Sequence, residues 1–130
     1  MRTLVVAALL ALGLAVASPA GRAARDLDPV SFSPRGEELV VFEARPCPYC
    51  ELFRRDVLPG YQMSKSSAEA TMRFVDVGQT DIAKLPLAAP LTTVPTVVLM
   101  RNGREVGRIA GYTGPETFFK LVAHMLGRGN

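Results

Sequence analysis

The chain has no tryptophan, one histidine and two cysteines. A structural or catalytic metal site takes three or four protein ligands from different parts of a fold. With His124 as the one soft donor beyond the cysteine pair, no metal and no other cofactor is expected. Basic residues outnumber acidic ones, fifteen to twelve, but they stand singly or in pairs. That pattern has no stripe and no run of like charge, so a nucleic-acid partner is not expected either. There is no internal repeat and no low-complexity tract. The longest apolar run, Leu4 to Ala17, has fourteen residues, short of the about 20 that span a bilayer.

That run is instead the middle of an address label. Met1-Arg2-Thr3 supplies a positive start, and Ala15 and Ala17 form an A-x-A site before Ser18-Pro19-Ala20-Gly21, the pattern of a cleaved secretory signal peptide. The expected organisation is a signal peptide at 1–17, a Pro-, Gly- and Arg-rich linker at 18–37 and one domain at 38–130. An uncleaved membrane anchor is the other reading of residues 4–17, and its length argues against it. Export places the thiols in a disulfide-permissive compartment, the periplasm in a Gram-negative bacterium. A domain of about 110 residues buries enough surface to stand without disulfide staples, which leaves both cysteines free for chemistry.

Leu39 to Ala44 is a nearly continuous apolar run, as in a strand covered on both faces. A turn follows at Arg45-Pro46, and Cys47-Pro48-Tyr49-Cys50 opens a helix with Leu52, Phe53 and Val57 on one face. Pro48 suits the first helical turn, and Pro59 is expected to end the helix at Leu58. Gly60 to Ala70 is polar and ambiguous, and Met72 to Val77 reads as a second, parallel strand. Between Gly78 and Thr93 only a helical turn at Asp81 to Leu85 is expected. Thr96–Met100 and Glu105–Ile109 flank Arg101-Asn102-Gly103-Arg104, whose Asn-Gly pair marks a type I′ hairpin. Phe118, Leu121, Val122, Met125 and Leu126 then line one face of a last helix between Pro115 and Gly127. The order is β-α-β, then β-hairpin-α: an α/β domain with a mixed four-stranded sheet flanked by helices.

A C-x-x-C pair at a helix N-terminus has a physical meaning. The first cysteine faces unsatisfied backbone N–H groups and the positive end of the macrodipole, which favour a thiolate. Its pKa is expected to fall from about 8.5 into the range of about 3.5–7.5. A second thiol one turn on can expel a partner from a mixed disulfide. Cys47 is therefore the candidate nucleophile and Cys50 the candidate resolving thiol. A structural disulfide across so short a loop would contribute only about 2 kcal/mol. Arg45 and Glu43, at the end of the preceding strand, are candidates for tuning Cys47. Tyr49 is placed to flank a docked thiol, and His124 reads as a solvated surface residue.

Cys47-Pro48-Tyr49-Cys50 after a strand, with Thr93-Val94-Pro95-Thr96 opening a hairpin, resembles the thioredoxin superfamily from Leu39 to Leu126. The resemblance implies a thioredoxin-like fold, a cis Pro95 against the cysteine pair, and a Val94 main chain that pairs with substrate as an added strand. Pro48-Tyr49 is similar to glutaredoxins, but their Gly-Gly-Ser/Thr-Asp glutathione stretch is missing after the hairpin. Val41 stands where thioredoxins carry a buried aspartate. The leader, Cys47-x-Tyr49-Cys50 and Gly103-Arg104-Glu105-Val106-Gly107-Arg108-Ile109-Ala110-Gly111-Tyr112 are similar to the SoxS type, small exported thioredoxin-like proteins of bacterial sulfur oxidation. That likeness implies a monomeric periplasmic thiol:disulfide oxidoreductase that reduces a cysteine-containing client, such as a sulfur-carrier protein, with electrons from a membrane thiol donor. A periplasmic oxidant, or a binding module with an inert disulfide, are the other readings of the same motif.

Overall fold

The computed structural model describes residues 30–128; the signal peptide and most of the linker expected upstream lie outside the described residues. Its elements are β1 Glu37–Glu43, α1 Pro48–Gln62, α2 Ser66–Glu69, β2 Ala70–Asp76, a 3₁₀ turn Ile82–Lys84, β3 Thr96–Arg101, β4 Arg104–Ala110 and α3 Pro115–Met125. The strands form one mixed sheet in the order β2-β1-β3-β4, parallel between β1 and β2 and antiparallel elsewhere. This is the expected α/β arrangement. β1 is central, and consecutive residues Leu39 to Phe42 are all fully buried because both its faces are covered.

The two faces are covered by different means. Leu39, Val41, Val97 and Leu99 meet Phe53, Val57 and Tyr61 of α1 and Phe118 and Val122 of α3. Phe53 sits edge-on to Phe74, Tyr112 and Phe118, with ring centroids 5.1–6.3 Å apart, the arrangement ring quadrupoles prefer. On the other face Val40, Phe42, Val75, Val98 and Met100 lie under Ile82, Leu85, Leu87 and Leu91, and under Val30 and Phe32. Both long helices thus share one side, and irregular chain closes the other. Arg73 fastens the strap carrying Phe32 by donating from Nη2 to Ser31 O at 3.0 Å.

Two expectations are corrected. α1 does not stop at Leu58: it runs to Gln62 with Pro59 inside it. An interior proline costs about 3 kcal/mol through its lost N–H and its ring clash. Pro59 and Arg55 are exposed, so water can solvate the carbonyl left over. Beyond it, Tyr61 is fully buried and its hydroxyl donates to Ala70 O at 2.5 Å, with Ser66 O at 3.1 Å. Burying that ring contributes about 2–3 kcal/mol and its hydrogen bond about 1 kcal/mol, which offsets the proline. Second, Leu121 is exposed; Phe118 and Val122 carry the buried face of α3. The structure also shows that β4 contains an extra residue: Met100 pairs with Glu105 and Leu99 with Gly107, leaving Val106 out of register.

The hairpin turn is as expected, with Asn102 and Gly103 at φ 51° and 77°. Asn102 also ties the turn to the start of β1: its N–H donates to Gly36 O, and its Oδ1 accepts from Gly36 N–H at 3.0 Å.

Candidate active site

The register puts the pieces of the site at one end of the sheet. β1 delivers its chain toward Cys47 just past Glu43, and antiparallel pairing of Phe42 with Thr96 places the start of β3 beside it. Val94 and Pro95 therefore adjoin the end from which α1 departs. Their peptide bond is cis, and Pro95 is buried. Pro95 O accepts from Gly111 N–H at 2.8 Å, and Thr93 O accepts from the Thr96 hydroxyl at 2.8 Å. The Arg45–Pro46 peptide is cis as well, an isomer that no feature of the sequence marks.

Cys47 is the N-cap of α1, and Pro48 follows at its first position. Cys47 and Cys50 form a disulfide with their Cα atoms 5.2 Å apart. The Cys50 N–H donates to Cys47 Sγ at 3.1 Å, and the N–H groups of Cys50 and Glu51 both reach Cys47 O at 3.1 Å. Once the bond is reduced, the same N–H and the helix dipole favour negative charge on the Cys47 sulfur. Cys50 is the more deeply buried of the two, 3% exposed against 8%, so an approaching group meets Cys47 first.

A cavity of about 320 Å³ is lined by Glu43, Ala44, Arg45, Pro46, Cys47, Cys50, Glu51 and Arg54. It gathers four of the residues singled out in the sequence: Cys47, Cys50, Arg45 and Glu43. Glu43 is not a solvated strand-end charge; it is 4% exposed. Arg54 holds it with two hydrogen bonds, Nη2 to Oε1 at 2.6 Å and Nε to Oε2 at 2.8 Å. That bond keeps the Arg54 guanidinium above the ordinary arginine pKa, against a smaller opposing effect of burial. Arg54 also stacks over Phe74 at 3.6 Å. Sequence reasoning passed over Arg54, although a signal existed: it lies four residues after Cys50, on the same helix face. Arg45 is exposed and lines a second cavity with Glu43, Arg54, Arg73 and Asp76.

Three expected residues, Tyr49, Val94 and Pro95, lie outside this cavity. Tyr49 projects from the first turn of α1, 62% exposed. Val94 lines a separate apolar hollow with Val77, Ile82 and Leu91. His124 is exposed, as expected. Among the described residues no group of His, Cys, Asp and Glu side chains is placed to hold a metal ion.

The comparisons with known proteins agree with this geometry. Residues 35–126 match the family model for the thioredoxin-like domain. The periplasmic thioredoxin SoxS of Paracoccus pantotrophus, solved in its reduced form, is 30% identical over 72% of this chain and 99% of its own, with a TM-score of 0.65. A Malassezia sympodialis thioredoxin is 16% identical over 72% of this chain and 77% of its own, TM-score 0.60. Mitochondrial thioredoxin 3 of Saccharomyces cerevisiae, in its oxidised form, is 24% identical over 69% and 79%, TM-score 0.56; these last two likenesses speak for the fold alone. Among curated proteins, none matches the chain. A thioredoxin fold carrying a C-x-x-C pair at a helix N-terminus is the equipment of a thiol:disulfide oxidoreductase. The chain belongs to the thioredoxin-like family.

Proposed function

We propose that this oxidoreductase works outside the cytoplasm as a reductase of a protein client. The observation that carries the chemistry is the Cys47–Cys50 pair at the start of α1, with Cys50 N–H on Cys47 Sγ. The Cys47 thiolate attacks one sulfur of a client disulfide or thiol adduct. The client S–S bond breaks, its other sulfur leaves as thiolate, and a mixed disulfide joins Cys47 to the client. Cys50, deprotonated, then attacks the Cys47 sulfur. The client leaves reduced by two electrons, and the Cys47–Cys50 disulfide remains for a thiol donor at the membrane to reduce. Val94 offers main-chain hydrogen bonds to the client segment as it docks, Tyr49 flanks the docked sulfur, and Arg45 and Glu43 set the charge around Cys47.

Export is supported by the leader pattern of residues 1–17 and by likeness to a periplasmic thioredoxin. Among the described residues no helix is long and apolar enough to cross a membrane. The client is proposed to be the cysteine of a sulfur-carrier protein, as the resemblance of the sequence to the SoxS type implies, and the protein is proposed to act as a monomer. No role for nucleic acid or a cofactor enters this reading.

Two substitutions test it. Cys47→Ser is expected to abolish disulfide reduction, and retained turnover would remove Cys47 as nucleophile. Cys50→Ser is expected to accumulate a client-linked species on a non-reducing gel; a clean single band at every client concentration would overturn the two-step exchange. Trapping thiols in living cells with a heavy alkylating reagent reads the direction. A mostly reduced pair supports a reductase, whereas a fully oxidised pair would leave an oxidant or an inert module.

A further inference from the structure

Side chains three residues apart on a strand ordinarily point to opposite faces of the sheet. Glu105 and Arg108 escape that rule because Val106 is the extra residue of β4. Glu105 stands opposite Met100 and Arg108 opposite Val98, two residues of the same face. There Arg108 donates from Nε to Glu105 Oε1 at 2.5 Å and from Nη2 to Oε2 at 2.8 Å. Glu105 is nearly buried, its side chain 4% exposed.

The joined pair then grips the main chain of the segment that covers this face. Glu105 Oε2 accepts from Ala88 N–H at 2.6 Å. Arg108 donates from Nη2 to Ala89 O at 2.8 Å and from Nη1 to Pro90 O at 3.0 Å. Three consecutive residues, 88 to 90, each give one main-chain group to the pair. They belong to no helix or strand, so no ladder partner is at hand for those groups. Four residues further on is Val94. Between Pro90 and Val94 the chain rests on Leu91, which packs on the sheet, and beyond it on the Thr96 hydroxyl at Thr93 O.

We propose that the Glu105–Arg108 pair is a positioning device for the reaction: by fixing Ala88–Pro90 it holds the Val94 main chain where a polypeptide client meets it. The pair sets affinity for disulfides carried on a polypeptide and leaves the exchange chemistry of Cys47 and Cys50 unchanged. A guanidinium is required because its planar fork reaches a carboxylate and two carbonyls at once, whereas an ammonium is a single point of charge. This inference rests on the reading of Val94 as the client-docking strand.

The test compares two substrates of the full chain: a small aromatic disulfide, which needs only the cysteines, and a mixed disulfide on a ten-residue peptide. For Arg108→Gln the expected result is a KM for the peptide raised about tenfold, from lost charge-assisted hydrogen bonds, with kcat and the small-disulfide rate unchanged. Arg108→Lys is expected to fall between. Amide hydrogen exchange provides a readout independent of turnover: faster exchange is expected at 87–94, with β1 and β3 unchanged. Equal loss on both substrates, or unchanged peptide KM, would overturn the inference. If the wild-type chain reduced neither substrate, the oxidoreductase reading would fall, and exchange at 87–94 would still decide the clasp: slow exchange kept in Arg108→Gln overturns it.

Discussion

Cys47 and Cys50 share a disulfide but not an environment: Cys47 caps the helix and is the more exposed of the two. The cavity holds Arg45 and Arg54 against Glu43 and Glu51. Positive charge near Cys47 favours its thiolate and negative charge opposes it. Glu43→Gln is therefore expected to lower the Cys47 thiol pKa, and Arg45→Met to raise it. Thiolate absorbance followed against pH checks both, and identical titration curves in the two variants would remove these residues as tuning groups. The cysteine pair was legible in the sequence because its chemistry is local, C-x-x-C spacing at a helix start, whereas the cis Pro95 followed from the family resemblance. Glu43 was legible only as a strand-end charge. Its burial depends on Arg54, a partner eleven residues away whose side chain turns back over Phe74, and no local pattern encodes such a pairing.

At the scale of elements, α1 shows where local preference gives way to packing. Proline marks helix ends because it lacks an N–H, yet here the burial of Tyr61 carries the helix through Pro59. Pro59→Ala is expected to stabilise the fold by about 1–2 kcal/mol, the helix gain less the entropy that proline removes from the unfolded chain. Tyr61→Phe is expected to cost about 1–2 kcal/mol, because Ala70 O loses its buried donor. Urea unfolding of both variants measures these effects, and a destabilised Pro59→Ala would mean that the ring itself packs. The strands and the hairpin were readable from apolar runs and from Asn102-Gly103, since alternation and turn chemistry are short-range properties. The extra residue at Val106 was not, because a bulge is a mismatch between two strands and neither strand shows it alone. Within segment 78–95 the helical turn near Ile82–Lys84 was readable, but the course of residues 88–90 was not: what holds them is Glu105 and Arg108, met only after the chain has turned back.

For the molecule as a whole, Glu105 and Tyr61 are expected to shape the pH dependence of the fold. Hydrogen bonding to Arg108 holds the Glu105 carboxyl below its ordinary 4.5. Its contribution is complete above about 4.5 and lost as pH falls through the lower folded value. Burial pushes the Tyr61 hydroxyl up to about 12 from 10.0. Only the unfolded chain ionises between those values, so stability falls as pH rises from 10 toward 12. Thermal melts across pH are expected to show both slopes, the acid one shallower in Arg108→Gln and the alkaline one shallower in Tyr61→Phe. Slopes identical to wild type would show that other groups govern the limits. Fold class was readable from element order, because a strand-helix-strand unit followed by a hairpin and helix leaves few ways to close a sheet. The bulge at Val106 has one more effect. β4 is the last strand of the sheet, and a regular last strand is a template on which another chain can polymerise. An irregular ladder flanked by Arg104, Glu105 and Arg108 resists that addition, so the same extra residue that aims a clasp inward guards the protein against self-assembly.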